Sequence, residues 1–200
     1  MIFKRPALLL CLAAILAAQD TRPLKPGLYA IFNTGDGPIT ALLYVKYTPV
    51  TVADFVALAQ GTKPWRDPKT GAMVRRPLYQ NITFHRVLRG QVIQSGDPTG
   101  TGAHNCGITI PDEFLPGLRF SGPGRLAMAN TGAPDSGGCQ FFITDEAVPT
   151  WDGKYTIFGE VVRGQDVVSK ISHAPTHGDR PVNPVKLLSV TIERISPMKK

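Results

Sequence analysis

The chain has 200 residues and a formal net charge of +7, with 42% hydrophobic and 18% charged residues, 20 glycines and 18 prolines. That length makes one domain with short tails at most. The composition excludes a disordered chain, a coiled coil and a collagen-like repeat, and its many turn-formers argue against a helical bundle. Basic residues are scattered, in runs no longer than pairs such as Arg75-Arg76 and Lys199-Lys200, so the charge reads as a solvated surface and not as a nucleic-acid patch.

In chain order, Lys4 and Arg5 precede an uncharged apolar run over 7–18 that ends in the small residues Ala17 and Ala18. This is the pattern of a secretory signal peptide cleaved near Ala18-Gln19. The run is shorter than the roughly 20 residues needed to span a bilayer, so no stable membrane span is expected after cleavage, and the mature protein is expected to be periplasmic or secreted. A polar lead over 19–27 follows. The spacing predicts strands over 28–33 and 39–45, joined by the turn Thr34-Gly35-Asp36-Gly37. Thr48-Pro49 opens a helix over 49–60, with Val52, Phe55, Val56 and Ala59 on one face and Gly61 as C-cap. Residues 62–78 carry three prolines and no apolar period, which reads as a surface excursion. Short β-rich runs follow over 82–87, 91–95, 124–129, 140–144 and 156–161, then a helix over 164–172 and a last strand over 185–195. The fold class is mainly β: a closed eight-stranded antiparallel barrel capped by two α-helices, over 28–196, with 197–200 as a tail.

Beyond Cys11 in the leader, Cys106 and Cys139 remain. An exported chain can join them in a disulfide; two buried thiols are the alternative. His104 and Cys106, with Cys139 and His173 or His177, do not have structural-zinc spacing. Gly100-x-Gly102 lacks the third glycine and helix of a nucleotide loop. Ser136-Gly137-Gly138 lacks the context of a nucleophile elbow. Strand alternation puts Phe84 and Arg86 on one face and His85 on the other, as a core histidine. Arg86, Gln94 and Gln140 over Val92 and Phe142 make a few donors above an apolar floor, the pattern of a small ligand site.

Four segments stand in register: Phe84-His85-Arg86-Val87-Leu88 with Val92-Ile93-Gln94-Ser95-Gly96-Asp97; Gly122-Pro123-Gly124-Arg125-Leu126-Ala127-Met128-Ala129-Asn130; Gly138-Cys139-Gln140-Phe141-Phe142-Ile143-Thr144; and Trp151-Asp152-Gly153-Lys154-Tyr155-Thr156-Ile157-Phe158-Gly159. Together they resemble the cyclophilin family of peptidyl-prolyl isomerases. The resemblance implies that Arg86 is catalytic, donating to the prolyl nitrogen of a twisted X-Pro amide. It implies that Val92, Phe142 and Trp151 line the proline pocket and that Phe84, Gln91, Thr150 and Tyr155 also belong to the substrate-binding site. Gln94 and the Asn130 backbone would hold the peptide, and Thr101, Ala129, Thr131 and Gln140 would border a neighbouring subsite. Loops carrying Cys106 and Cys139 would meet beside the groove, where a disulfide would tie its rim. The resemblance further implies proline-containing polypeptides as partners, no cofactor and no metal, and a monomer is expected. The sequence departs from the family at Gln91 (a usual Phe), Thr150 (Trp in animal members), Trp151 (Leu), Tyr155 (His) and Ser95 (Gly). Tyr155 and the absence of Trp at 150 look like bacterial members. The loss of a ring at Gln91 implies a slow isomerase or, as an alternative, a proline-peptide binding module or holdase.

Overall fold

The computed structural model describes residues 23–197; the leader and the last three residues of the tail lie outside the described residues. Hairpin β1 (Gly27–Thr34) and β2 (Gly37–Leu43) is closed by the Thr34 hydroxyl, which donates to Gly37 O (2.6 Å) and accepts from Asp36 N–H. Helix α1 (Pro49–Gln60) follows, then a small ribbon of β3 (Trp65–Arg66) and β4 (Met73–Val74). Strands β5 (Ile82–Thr83), β6 (Arg86–Leu88), β7 (Val92–Ser95), β8 (Arg125–Met128), β9 (Phe141–Thr144) and β10 (Ile157–Arg163) come next. Helix α2 (Gln165–Ser172), the ribbon β11 (Thr176–His177) and β12 (Arg180–Pro181), and the long strand β13 (Lys186–Ile195) complete the described chain.

The main sheet is antiparallel, with order β5-β13-β1-β2-β10-β8-β9-β7-β6. Its two ends, β5 and β6, are consecutive in sequence. Phe84 N–H donates to Val185 O (3.0 Å) beside β13, and His85 N–H donates to Gln94 O (3.1 Å) on β7. Residues 82–88 therefore have a neighbour on each side, and the sheet curls round until this segment forms its seam. The strand expected over 82–87 is broken at Phe84-His85, so nine strands replace the expected eight. The break also shifts the alternation: Ile82, Phe84 and Val87 are buried, while Arg86 and Leu88 face outward. Phe84 and Arg86 are thus not on one face.

Apolar alternation explains the core. Phe32, Phe141 and Phe158 point inward from β1, β9 and β10, and Phe55 of α1 inserts among them with ring centroids 5.9, 5.7 and 5.1 Å away. Val52, Leu58 and Ala59 complete the buried face of α1, and Val56 is partly buried. Gly61, at φ 73°, ends the helix where a Cβ would lie 2.5 Å from the Arg76-Pro77 backbone. Thr48 is at the N-cap position but does not cap through its side chain; the Glu113 carboxylate accepts from Val50 and Thr51 N–H instead (3.1 and 2.8 Å). Buried Asp145 anchors α2, accepting from the Ser169 and Ser172 hydroxyls. The stretch 62–78 is more than a surface excursion. Trp65 and Leu78 are buried, Trp65 Nε1 donates to Arg76 O (2.8 Å), and the Arg76 guanidinium lies over the Trp65 ring.

Candidate active site

All four residues of β9 are buried, because both faces of that strand are covered. Phe141 and Ile143 join the barrel interior, whereas Phe142 points outward into a second cluster with Val92, Phe120, Ala127, Val148 and Ile157. Register pairs Arg86 with Gln94, Gln94 with Phe142, and Phe142 with Ala127. Residues directly opposite in a sheet share a face, so Arg86, Gln94, Phe142 and Ala127 form one row on the outside of the barrel.

Above that row lies a pocket of about 220 Å³ lined by Arg86, Val92, Gln94, Ala129, Asn130, Phe142, Trp151 and Tyr155. Its floor is aromatic. Phe142 meets Trp151 and Tyr155 edge-on at 5.4 and 5.2 Å, and Phe120 stacks behind Phe142 at 5.8 Å. Such offset and edge contacts are favourable ring geometries that keep the wall rigid.

The guanidinium of Arg86 is held from two sides. Its NH1 donates to Gln94 Oε1 (3.2 Å), Gln94 Nε2 donates to Gln140 Oε1 (2.9 Å), and Gln140 Nε2 donates to the carbonyls of Gly102 and His104 (3.0 Å each). On the other side Nε and NH2 face Asp179 Oδ2, each at 3.1 Å. Arginine has five N–H donors; these contacts engage three of them. The loop that supplies the carbonyls is organised by Asp97, fully buried, which accepts from the N–H groups of Thr99, Gly102 and His104 and from the Thr99 and Thr101 hydroxyls. Burial alone would raise the Asp97 carboxyl, but those hydrogen bonds outweigh it and hold the pKa below the ordinary value. Gly96, at φ 102°, lets this loop pass where a Cβ would lie 2.2 Å from Cys139 O. Its neighbour Ser95 is buried and donates to Thr83 O (2.9 Å).

Other residues named from the sequence are spread more widely. Thr131 and Gln140 border an adjacent hollow of about 110 Å³ that shares Gln94, Ala129 and Asn130 with the main pocket. Thr101 lies instead in a groove on the far side of Arg86, with His85 and Asp179. Phe84 is fully buried in the barrel core, a consequence of the break at Phe84-His85, and it is not among the residues lining the Arg86 pocket. Gln91 is solvent-exposed in the turn before β7, where its carbonyl accepts from Asp145 N–H (2.6 Å), and Thr150 is exposed on the short 3-10 turn Pro149–Trp151. Neither lines the pocket, whose aromatic wall is formed by Phe142, Trp151 and Tyr155. Cys106 and Cys139 are joined in a disulfide with Cα atoms 6.1 Å apart, next to Gln140. His85 is buried, and neither ring nitrogen makes a hydrogen bond of good geometry among the described residues, although the Gln140 side chain and the Thr83 backbone lie near the ring. Burial pushes its pKa below the ordinary value, opposed by nearby Asp97.

Two residues of the site are absent from the sequence reading. Asp179 lies 93 positions from Arg86, in a stretch with no periodic signal. Phe120 lies in a Gly- and Pro-rich loop that also carries Phe114, and no local pattern separates the buried Phe120 from the exposed Phe114.

The family model for cyclophilin type peptidyl-prolyl cis-trans isomerases matches residues 29–192. The chain belongs to the cyclophilin family. Among cyclophilin relatives, peptidyl-prolyl cis-trans isomerase A of Mycobacterium tuberculosis is 46% identical over 166 residues, covering 82% of this chain and 91% of the relative. Peptidyl-prolyl cis-trans isomerase B of Streptomyces anulatus is 44% identical over 170 residues, covering 83% and 97%. A solved cyclophilin from Cryptosporidium parvum, crystallised in the presence of the dipeptide Ala-Pro, superimposes with a TM-score of 0.71 at 28% identity, covering 84% of this chain and 99% of that one. As a cyclophilin the protein is a peptidyl-prolyl cis-trans isomerase, and its curled, mainly β sheet with two helices is the cyclophilin fold.

Proposed function

We propose that this cyclophilin accelerates rotation about X-Pro bonds with Arg86 as the catalytic residue. Rotation must break amide resonance, a barrier of about 18–20 kcal/mol, and the uncatalysed reaction takes tens to hundreds of seconds. No covalent intermediate is needed; the site has to bind the twisted amide better than either planar form. Twisting localises the prolyl nitrogen lone pair, and a fixed N–H donor then stabilises it where it stabilised little before. The observation that carries the reading is the Arg86 guanidinium, clamped at the rim of a pocket with an aromatic floor. Val92, Phe142, Trp151 and Tyr155 receive the proline ring, and Gln94 and Asn130 hold the flanking peptide. Substrates are proline-containing segments of folding polypeptides, the protein works without cofactor or metal, and it acts as a monomer. An exported location is supported by the signal-peptide pattern over 1–18 and by the Cys106–Cys139 disulfide, a bond that persists in oxidising compartments.

The test is the isomerisation rate of an X-Pro tetrapeptide. Wild type accelerates it, and Arg86→Ala lowers kcat/KM by 10- to 100-fold, about 1.4–2.7 kcal/mol. Binding of proline peptides without acceleration by wild type would make the protein a binding module or holdase on this fold.

A further inference from the structure

We infer that Asp179 is a positioning residue for the isomerase reaction, holding the Arg86 guanidinium in its working orientation; this rests on the assignment of Arg86 as catalytic. A long arginine side chain loses rotamer freedom when it must sit at one point, and a donor that is already fixed has less to lose at the transition state. Gln94 restrains only NH1. Rotation about the terminal bonds is stopped by the second anchor, the single Asp179 oxygen that faces both Nε and NH2 at 3.1 Å.

The carboxylate is itself well placed to serve as an anchor. Asp179 stands between β11 and β12, a ribbon whose strands pair Thr176 with Pro181 and His177 with Arg180. Val182 N–H donates to Pro175 O (2.9 Å) and closes the base of the ribbon. Its tip is bonded to the strand that bears the arginine: Val87 N–H donates to Asp179 O at 2.7 Å. The backbone of Asp179 is therefore fixed to the residue next to Arg86, and only its short side chain spans the gap. Asp179 is half exposed, and an exposed ion pair contributes little to stability. The side chain thus has a small role in holding the fold and a direct one in aiming the guanidinium. Because the anchoring bond is made by backbone atoms, it survives substitution of the side chain.

Asp179→Ala is expected to lower kcat/KM for an X-Pro tetrapeptide about 5- to 10-fold. The Kd for a non-isomerising proline peptide and the thermal midpoint should stay within two-fold and 2 °C of wild type. Asp179→Asn, which keeps an acceptor oxygen, restores the rate to within two-fold of wild type. Adding Asp179→Ala to Arg86→Ala costs no further activity. A rate for Asp179→Ala within two-fold of wild type overturns the inference, as does an equal fold-loss in the Arg86→Ala background or no rescue by asparagine. If Arg86→Ala itself matches wild type, the assignment of Arg86 fails first, and that result is visible without any Asp179 variant.

Discussion

The two faces of β9 use the same residue types for opposite ends. Inside, Phe141 lies 5.2 Å from Phe32, 5.7 Å from Phe55 and 5.5 Å from Tyr79, and all four rings are buried. Outside, Phe142 meets Trp151 and Tyr155 at similar distances, but those rings are only partly buried and the pocket remains open above them. One strand thus has a sealed aromatic face that supplies stability and an open one that supplies a binding surface. The lesson is that aromatic contact by itself does not distinguish core from site; what distinguishes them is whether further side chains close over the rings.

Breaking the sealed face should have the largest effect. Phe141→Ala is expected to cost about 3–5 kcal/mol of stability, read as a lower denaturant midpoint, while the protein that remains folded keeps its kcat/KM. Breaking the open face should invert that pattern. Trp151→Ala is expected to lower kcat/KM about 10-fold, about 1.4 kcal/mol, through weaker peptide binding, and to cost about 1 kcal/mol of stability or less. A stability loss for Trp151→Ala as large as that for Phe141→Ala would erase the distinction.

The smallest effect sharpens the boundary between the faces, where His85 lies buried at the seam. Its pKa is lowered in the folded state, so below the ordinary value of 6.5 the unfolded chain binds the proton more readily. Stability is therefore full above that pH and falls as pH drops below it, by up to about 1.4 kcal/mol per unit for one such group. Between pH 7.5 and 5.5, His85→Gln should lose less stability than wild type, measured by urea unfolding at both pH values.

Strands with clean alternation were legible in the sequence: 28–33, 185–195 and the β-rich runs of the sheet all fall within two residues of their observed ends, and both helices follow from their apolar faces and their glycines. What was hidden depends on pairing across long distances. The break at Phe84-His85 arises because the seam strand must serve two neighbours, and no local pattern records it. The ribbons β3–β4 and β11–β12 are two residues per strand, too short for any period. In the site, register explains why residues far apart in sequence, Arg86, Gln94, Gln140 and Phe142, come together. The family pattern alone places Gln91, Thr150 and Phe84 in the substrate-binding site, and their backbone positions turn them to solvent or into the core.

The seam also sets when this molecule can begin to work. Polypeptides emerge from the ribosome, and cross membranes, one end first. Here β1 pairs with β13, and β5, on the segment that carries Arg86, has β13 as its other neighbour. Asp179 too comes late in the chain. A nascent molecule that has presented its first 170 residues already holds the pocket wall, yet it has neither the closing strand nor the anchor for its guanidinium. Contacts of such long sequence separation form slowly. An isomerase built in this way completes its site only when nearly all of its own chain has emerged.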